Sequence, residues 1–341
     1  MIDTEMRAAR VHRRGAADFS IDTVPAPTPG PGQLLVRVES AGVNFSDVKR
    51  RRGDAYPFET DFPFTPGGEI AGTVVAHGVG VDSPPVGARV FALAGANGFG
   101  GYAQYAVAYA PTAVPIPEAM SFDQASVLIV AGATAKVMLT RTARLQPGQS
   151  VLIPAATGGV GSFALQIARQ AGAGTIIAAV GDAGKGPLAR DLGAHEVVDY
   201  TRPDWPEVVR ELTGERGVDV ALEAMGSHGL IDTLRALASF GQLVVYGAAT
   251  GVSATLDGPT IDRWLYAPAS NQSITGFNIG SWFLERPAEA GAALMELAQD
   301  VLSGAVRLPP INTLPLAQAR EAHLALEERR TAGKLVIKPW A

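Results

Sequence analysis

Residues 151–161 read VLIPAATGGVG, and SFALQIARQAGA follows. An apolar run of strand length falls into small residues and glycines, then enters a helical pattern. Val160, Phe163, Ala164, Ile167, Ala168 and Ala171 recur at i, i+3, i+4, i+7, i+8 and i+11, one apolar stripe facing a sheet. The turn is Ala156-x-Gly158-x-x-Gly161, a dinucleotide fingerprint with alanine for its first glycine. Ala156, Thr157, Gly158, Gly159, Val160 and Gly161 are therefore candidate cofactor contacts. Gly158 lets backbone approach a pyrophosphate, whose charge sits on the helix N-terminus, and Gly161 lets helix and strand pack closely. The competing reading is a tight turn of any α/β protein. Strand, turn, helix and second strand arrive in the required order within about 30 residues, which favours the dinucleotide. An NTPase phosphate loop fits poorly, because Gly184-Lys185 lacks the earlier glycine and the following Ser or Thr.

Outward from this turn, TIIAAV (175–180), HEVVDY (195–200), VDVALEA (218–224) and QLVVYGA (242–248) read as strands. PLARDLGA (187–194), WPEVVRELTG (205–214) and a segment near 228–238 read as helices. Such alternation of apolar strands with helices predicts a parallel sheet covered on both faces. Residues 1–120 differ. LLVRV (34–38), GTVVAHG (72–78), ARVFAL (88–93) and YAQYAVA (102–108) are short strands between Pro- and Gly-rich turns, as in an antiparallel sheet or barrel. A helix over 287–303 and the strand KLVIK (334–338) return to that first part. The expected domains are 1–125 with 273–341, and 126–272.

With 341 residues, 47% hydrophobic and 18% charged, the chain has material for two cores. Net charge is −5, and KRRR (49–52) reads as a solvated loop rather than a nucleic-acid patch. Small molecules are the expected partners, not nucleic acid. The absence of cysteine excludes disulfides, thiolate zinc sites and cysteine nucleophiles. MIDTEMRAAR is too polar for a signal peptide, and ASVLIVAGATA meets Lys136 after 11 residues, short of the ~20 a bilayer needs. No membrane is expected, and the cytoplasm is the expected location. His12, His77, His195, His228 and His323 form no metal-spaced pair and read as surface or turn residues.

The second strand of the alternating half ends at Val180, followed by GDAGK. No carboxylate stands where NAD-binding units bond the ribose 2′-OH. With Lys185 near Gly181, this favours NADP. Tyr200 would flank the 2′-phosphate or the adenine, while Asp182 argues the other way by repelling phosphate.

The stretches GPGQLLVRVESAGVNFSDVKRRRGDAYP, FTPGGEIAGTV, GGYAQYAV, LQPGQSVLIPAATGGVGSFALQIARQAGA, RGVDVALEAMG and GKLVIKP, in this order and spacing, carry a resemblance. The chain resembles the medium-chain dehydrogenase/reductase superfamily, closest to its zinc-free quinone oxidoreductase (zeta-crystallin-like) branch. The resemblance implies an α/β protein with a GroES-like, mainly antiparallel β catalytic domain and a Rossmann doubly wound parallel-sheet domain, the cofactor lying in the cleft. It implies a homodimer, or a tetramer, paired through an edge of the Rossmann sheet, for which SITGFNIG (273–280) is the candidate strand.

Zinc alcohol dehydrogenases of the superfamily have cysteine where this chain has Asn44 and histidine where it has Gly68, so no metal site is expected. Glu69 is expected to bond loop backbone or a neighbouring cation. The implied reaction is hydride transfer from NADPH to a quinone or an α,β-unsaturated carbonyl compound. Such acceptors need less Lewis-acid help, because positioning and hydrogen-bond donors suffice. Asn44 and Tyr56 are the donors in matching places, with loop capping and loop packing as their plainer roles. Thr134, Gly247, Ala248, Phe277 and Asn278 match positions near the nicotinamide. Two alternatives stand: an enoyl-thioester reductase, with KRRR as a basic mouth, and a non-catalytic NADPH-binding protein.

Overall fold

The computed structural model describes residues 4–54, 56, 59–95, 98–250, 255–266, 271–328 and 330–341. Contacts divide the chain into two units, Met1–Ala133 with Gly280–Ala341, and Thr134–Ile279. In the first, β1 (Glu5–Arg10) and β2 (Ser20–Pro25) form an antiparallel ribbon. Then come β3 (Gln33–Gly42), α1 (Phe45–Arg52), β4 (Glu69–His77), β5 (Arg89–Leu93), β6 (Tyr105–Tyr109) and β7 (Val114–Pro115). A helical run follows: α2 (Phe122–Ala125), a π-helical segment Leu128–Ala133, α3 (Thr134–Val137) and a second π-helical segment Met138–Thr142.

The second unit alternates: β8 (Ser150–Pro154), α4 (Gly159–Gln170), β9 (Thr175–Val180), α5 (Gly186–Asp191), β10 (Glu196–Asp199) and α6 (Trp205–Leu212). It continues with β11 (Val218–Glu223), α7 (His228–Arg235), β12 (Leu237–Val245), α8 (Gly258–Tyr266) and β13 (Ser273–Gly276). The chain then completes the first unit with α9 (Ile279–Glu285), α10 (Pro287–Leu302), β14 (Ile311–Pro315), α11 (Ala319–Glu327) and β15 (Lys334–Lys338).

The first unit's main sheet has the order β14-β15-β3-β4-β5-β7, with β6 also on β3; all its pairings are antiparallel except β14 with β15. Leu34, Val36 and Val38 alternate along β3 and pack with Ile70, Val90 and Ile337 into its core, the period-2 pattern of a half-covered sheet. This is the GroES-like domain.

The second sheet is wholly parallel, order β10-β9-β8-β11-β12-β13. Its central strands are almost wholly buried, as strands covered on both faces are. The order reverses between β8 and β11, where doubly wound sheets bind ligands beyond the strands' carboxyl ends. The turn after β8 lies there, in a Rossmann-type domain.

Several expectations change. The unit boundaries fall at 133/134 and 279/280 rather than 125/126 and 272/273. The π-helical segment Leu128–Ala133 packs on α10, with Gly132 against Leu297, and Ser273–Gly276 pairs with β12. KRRR is no solvated loop: it ends α1, with Arg50 and Arg51 buried. His323 is buried too, on the inner face of α11. Of the stripe expected along α4, Phe163, Ala164, Ile167 and Ala168 are buried but Val160 and Ala171 only half-buried, while Ser162, Leu165 and Gln166 are buried too, as α3 also packs on this helix. The apolar run exceeds the sequence reading. Phe122–Thr142 spans 21 residues with mean hydropathy 1.3, enough to cross a membrane by length and composition, and 72% of its most apolar window is buried in the protein.

Candidate functional site

At the turn after β8, Ala155 takes φ +47°, in the left-handed region. It bears the strain of the turn, so Ala156 at the fingerprint's first position needs no glycine. The Gly158 N–H donates to Ala155 O at 2.8 Å, and the first helical bond runs from Ser162 N–H to Gly158 O at 3.0 Å. The amides of Gly159, Val160 and Gly161 thus precede the first intrahelical bond of a 12-residue helix. Gly158, Gly159 and Val160 are partly exposed, whereas Ala156 and Thr157 are buried beneath them. A Cβ on Gly161 would stand 2.5 Å from Ala155 O and 2.7 Å from Ala156 Cα. Only glycine permits that approach of helix to strand. At Gly158 the nearest atom, Ala155 O, would be 3.1 Å away.

Beyond β9 and β10 the sheet order brings Gly181 and Tyr200 together. A Cβ on Gly181 would lie 2.5 Å from the Tyr200 hydroxyl and 2.8 Å from its Cζ, so the phenol end rests on the glycine. Asp182 spends its carboxylate on the Gly184 N–H at 2.8 Å, capping the short turn that carries Lys185. A cavity of about 430 Å³ opens beside this turn, lined by Val180, Ala183, Pro187, Arg190 and Asp199 among others.

Beyond β11 and β12 two loops are laced together. Ala249 N–H donates to Ala224 O (2.8 Å) and Thr250 N–H to Met225 O (3.1 Å). Gly247 lies against Ala224, Ala248 is half-buried beside it, and Phe277 N–H donates to Val245 O at 2.8 Å with Asn278 exposed next to it. Sequence reasoning missed Glu223, whose buried carboxylate accepts from Met225 N–H (2.5 Å), Gly226 N–H (2.8 Å) and the Thr233 hydroxyl (3.1 Å). A single acid ending an apolar strand was its only signal. Thr134 is buried where the helical run passes from π to α winding, a change of pitch frequent at functional positions.

In the first unit, a polar core surrounds Asn44. Its Nδ2 donates to Glu69 Oε1 at 2.8 Å and, more weakly, to Gly42 O at 3.4 Å, while its Oδ1 accepts from Lys334 Nζ at 2.7 Å. The expected substrate donor is thus committed inside the protein. Lys334 Nζ also donates to Glu69 Oε1 and Val43 O, both at 3.0 Å, and Glu69 Oε2 accepts from Val130 N–H at 2.7 Å. Glu69 so bonds the expected neighbouring cation, but its backbone partner is helical rather than loop. Asp47 accepts from Asn44 N–H (2.9 Å) and Gly67 N–H (3.1 Å). Burial outweighs those bonds and raises its pKa to about 6. These donors do not fit zinc, being an amide and a carboxylate already bound to an ammonium.

Tyr56 is half-buried and stands 5.2 Å from the Arg50 guanidinium. Burial, then the Asp47 charge, raises its pKa above the ordinary tyrosine value, so it keeps its proton at neutral pH. Arg50 lies over Phe64 and Phe99 as well, and donates to Thr60 Oγ1 and Gly98 O. Arg51 donates to Ala16 O and pairs with Glu327, and Arg52 pairs with Asp54. The three arginines of the basic run are thus engaged within the unit.

Residues 30–118 match the family model of the alcohol dehydrogenase GroES-like domain, and residues 159–298 that of the zinc-binding dehydrogenase. A 2-haloacrylate reductase of Burkholderia sp is 33% identical over 347 residues, spanning 98% of this chain and 99% of the relative. A quinone oxidoreductase of Rattus norvegicus is 34% identical over 245 residues, 71% of this chain and 73% of its own. The crystal structure of Escherichia coli quinone oxidoreductase complexed with NADPH superposes with a TM-score of 0.87 at 28% identity, covering 98% of this chain and 100% of that one. A mycobacterial protein complexed with NADPH reaches 0.88 at 33% identity, with the same coverage. This chain belongs to the medium-chain dehydrogenase/reductase superfamily, in its quinone oxidoreductase branch.

Proposed function

We propose that the protein is an NADPH-dependent oxidoreductase that reduces a quinone or an α,β-unsaturated carbonyl compound without a metal ion. The observation that carries this reading is the turn at 155–161. Partly exposed glycines and uncommitted helix-start amides lie at the reversal point of a parallel sheet, beside a strand that ends without a carboxylate. Relatives named quinone oxidoreductase and 2-haloacrylate reductase support it, the latter's substrate being an alkene conjugated to a carboxyl group.

Bound NADPH supplies a hydride from nicotinamide C4. The chain's own part is to hold, orient and donate. The amides of Gly159, Val160 and Gly161, with the dipole of α4, favour the pyrophosphate. Lys185 and Tyr200 meet the 2′-phosphate beside Gly181, while Asp182 is engaged by Gly184 N–H. Thr134, Gly247, Ala248, Phe277 and Asn278 serve the nicotinamide end. Tyr56 donates a hydrogen bond to the substrate oxygen as negative charge gathers on it. Asn44 shapes this region through its buried partners rather than as a donor. The assembly proposed is a homodimer through β13, which ends the parallel sheet order; sedimentation of the protein tests it.

The deciding experiment is a panel of quinones, enones, enoyl thioesters and 2-haloacrylate, each with NADPH and NADH, following loss of the reduced cofactor. Turnover of a quinone or enone with NADPH preferred is expected. Binding of NADPH with no turnover of any acceptor would leave a non-catalytic cofactor binder. A strong preference for thioesters would establish the enoyl-thioester reading, although the basic mouth it relied on is paired internally.

A further inference from the structure

We propose that Lys334 is the resident cation of the first unit's polar core, a positioning residue that fixes Asn44 and Glu69 and closes this place to divalent metal. The positioning part rests on the reading of Tyr56 given above.

Lys334 and Glu69 are buried, with side chains 4% and 0% exposed. The ammonium has three protons and three acceptors at hydrogen-bond distance: Asn44 Oδ1, Glu69 Oε1 and Val43 O. Both Glu69 oxygens are used, one by Lys334 and Asn44 and the other by Val130 N–H. Each Glu69 oxygen and the Asn44 oxygen already accepts from a group of the chain, and the space beside Glu69 is tightly filled. A Cβ at Gly42 would collide with both Glu69 and Ser126 O. Lys334 so performs a cation's task from within the chain. It compensates buried carboxylate charge and ties the approach to α1, the start of β4, the π-helical segment and the start of β15 to one point. Asp47 also feels this charge. From Asn44 the order continues along α1 to Arg50, whose guanidinium stands against Tyr56. The ammonium therefore orients Tyr56 without touching substrate.

The test compares wild type, Lys334→Met, Glu69→Gln and the double variant. Each is read by thermal unfolding, by Co²⁺ retained after equilibrium dialysis and gel filtration, by NADPH titration, and by kcat and KM with the best acceptor found. Lys334→Met strands a buried carboxylate and should lower Tm by roughly 5–15 °C. Adding Glu69→Gln removes the stranded charge and should recover at least half of that loss. In the double variant kcat should stay about tenfold down at an unchanged KM for NADPH, since orientation is still lost. Wild type should retain no Co²⁺. The proposal falls if Lys334→Met is as stable as wild type, or if Glu69→Gln gives no recovery. It falls also if the double variant regains full kcat, or if wild type retains one equivalent of Co²⁺ that Glu69→Gln abolishes. Unfolding and Co²⁺ retention need no turnover, so they decide the cation's role even if the reductase reading fails.

Discussion

Acid should weaken the first unit through His323. This residue lies on α11 with 1% exposure, and neither ring nitrogen has a hydrogen-bond partner. Its ring meets Phe19 and Tyr102 edge-on, with centroids 5.0 and 5.8 Å away. Burial, with the Arg51 charge adding to it, pushes the imidazole pKa from 6.5 down to about 3. The proton is therefore bound more tightly in the unfolded chain. The advantage of the folded state is complete above about pH 6.5 and declines as pH falls towards 3. Each intervening unit costs up to about 1.4 kcal/mol, so at pH 4.5 this ring removes about 2.7 kcal/mol. The whole folded state is worth only roughly 5–15 kcal/mol. Asp47 works in the opposite sense. Its raised pKa of about 6 means that the folded form takes up a proton first, and stability is regained as pH falls towards 3.8. The comparison must therefore be with His323→Met, of similar volume and with the same Asp47. Urea unfolding at pH 7 and pH 4.5 should show wild type losing about 2–3 kcal/mol more than the variant across that interval. Parallel losses, within about 0.5 kcal/mol of each other, would refute the reasoning.

The two fingerprint glycines should separate stability from binding. Gly161→Ala meets unyielding backbone and should cost about 1–3 kcal/mol in denaturant unfolding. Gly158→Ala, with a single contact at 3.1 Å, should unfold almost as wild type yet bind NADPH about tenfold more weakly by fluorescence titration. Lys185→Ala should raise the KM for NADPH about tenfold and leave that for NADH unchanged; equal changes for both cofactors would remove the 2′-phosphate from its neighbourhood. Tyr56→Phe should lower kcat at least about tenfold at constant KM for NADPH, and undiminished turnover would dismiss it as oxyanion donor.

The parallel half was legible because its central strands are buried on both faces and so read as unbroken apolar runs, as in VLIP and TIIAAV. Its parallel sense followed from the alternation, whereas the strand order that brings Gly181 to Tyr200 came only with the structure. Helix α1 was hidden because FSDVKRRR looks solvated. Its arginines are buried only by partners supplied from elsewhere: Glu327, Thr60 and the rings of Phe64 and Phe99. Asn44 was legible as a special position, but its partners were not. Lys334 follows it by 290 residues, and no local pattern announces so distant a contact. His323 failed as a surface residue for the same reason, since Phe19 and Tyr102 approach it from other parts of the chain.

The place of β15 between β14 and β3 has a consequence for how this protein is made. Residues 134–279 are contiguous, so the parallel-sheet half can mature while the ribosome is still working. The other half cannot. Its sheet lacks an inner strand, and the carboxylate of Glu69 remains hydrated, until a lysine translated 265 residues later arrives. A completed insert brings those distant partners together at smaller entropic cost than a disordered loop would. Assembly should thus run from the middle of the polypeptide outwards, and a fault in the inserted half should delay closure of the half that encloses it.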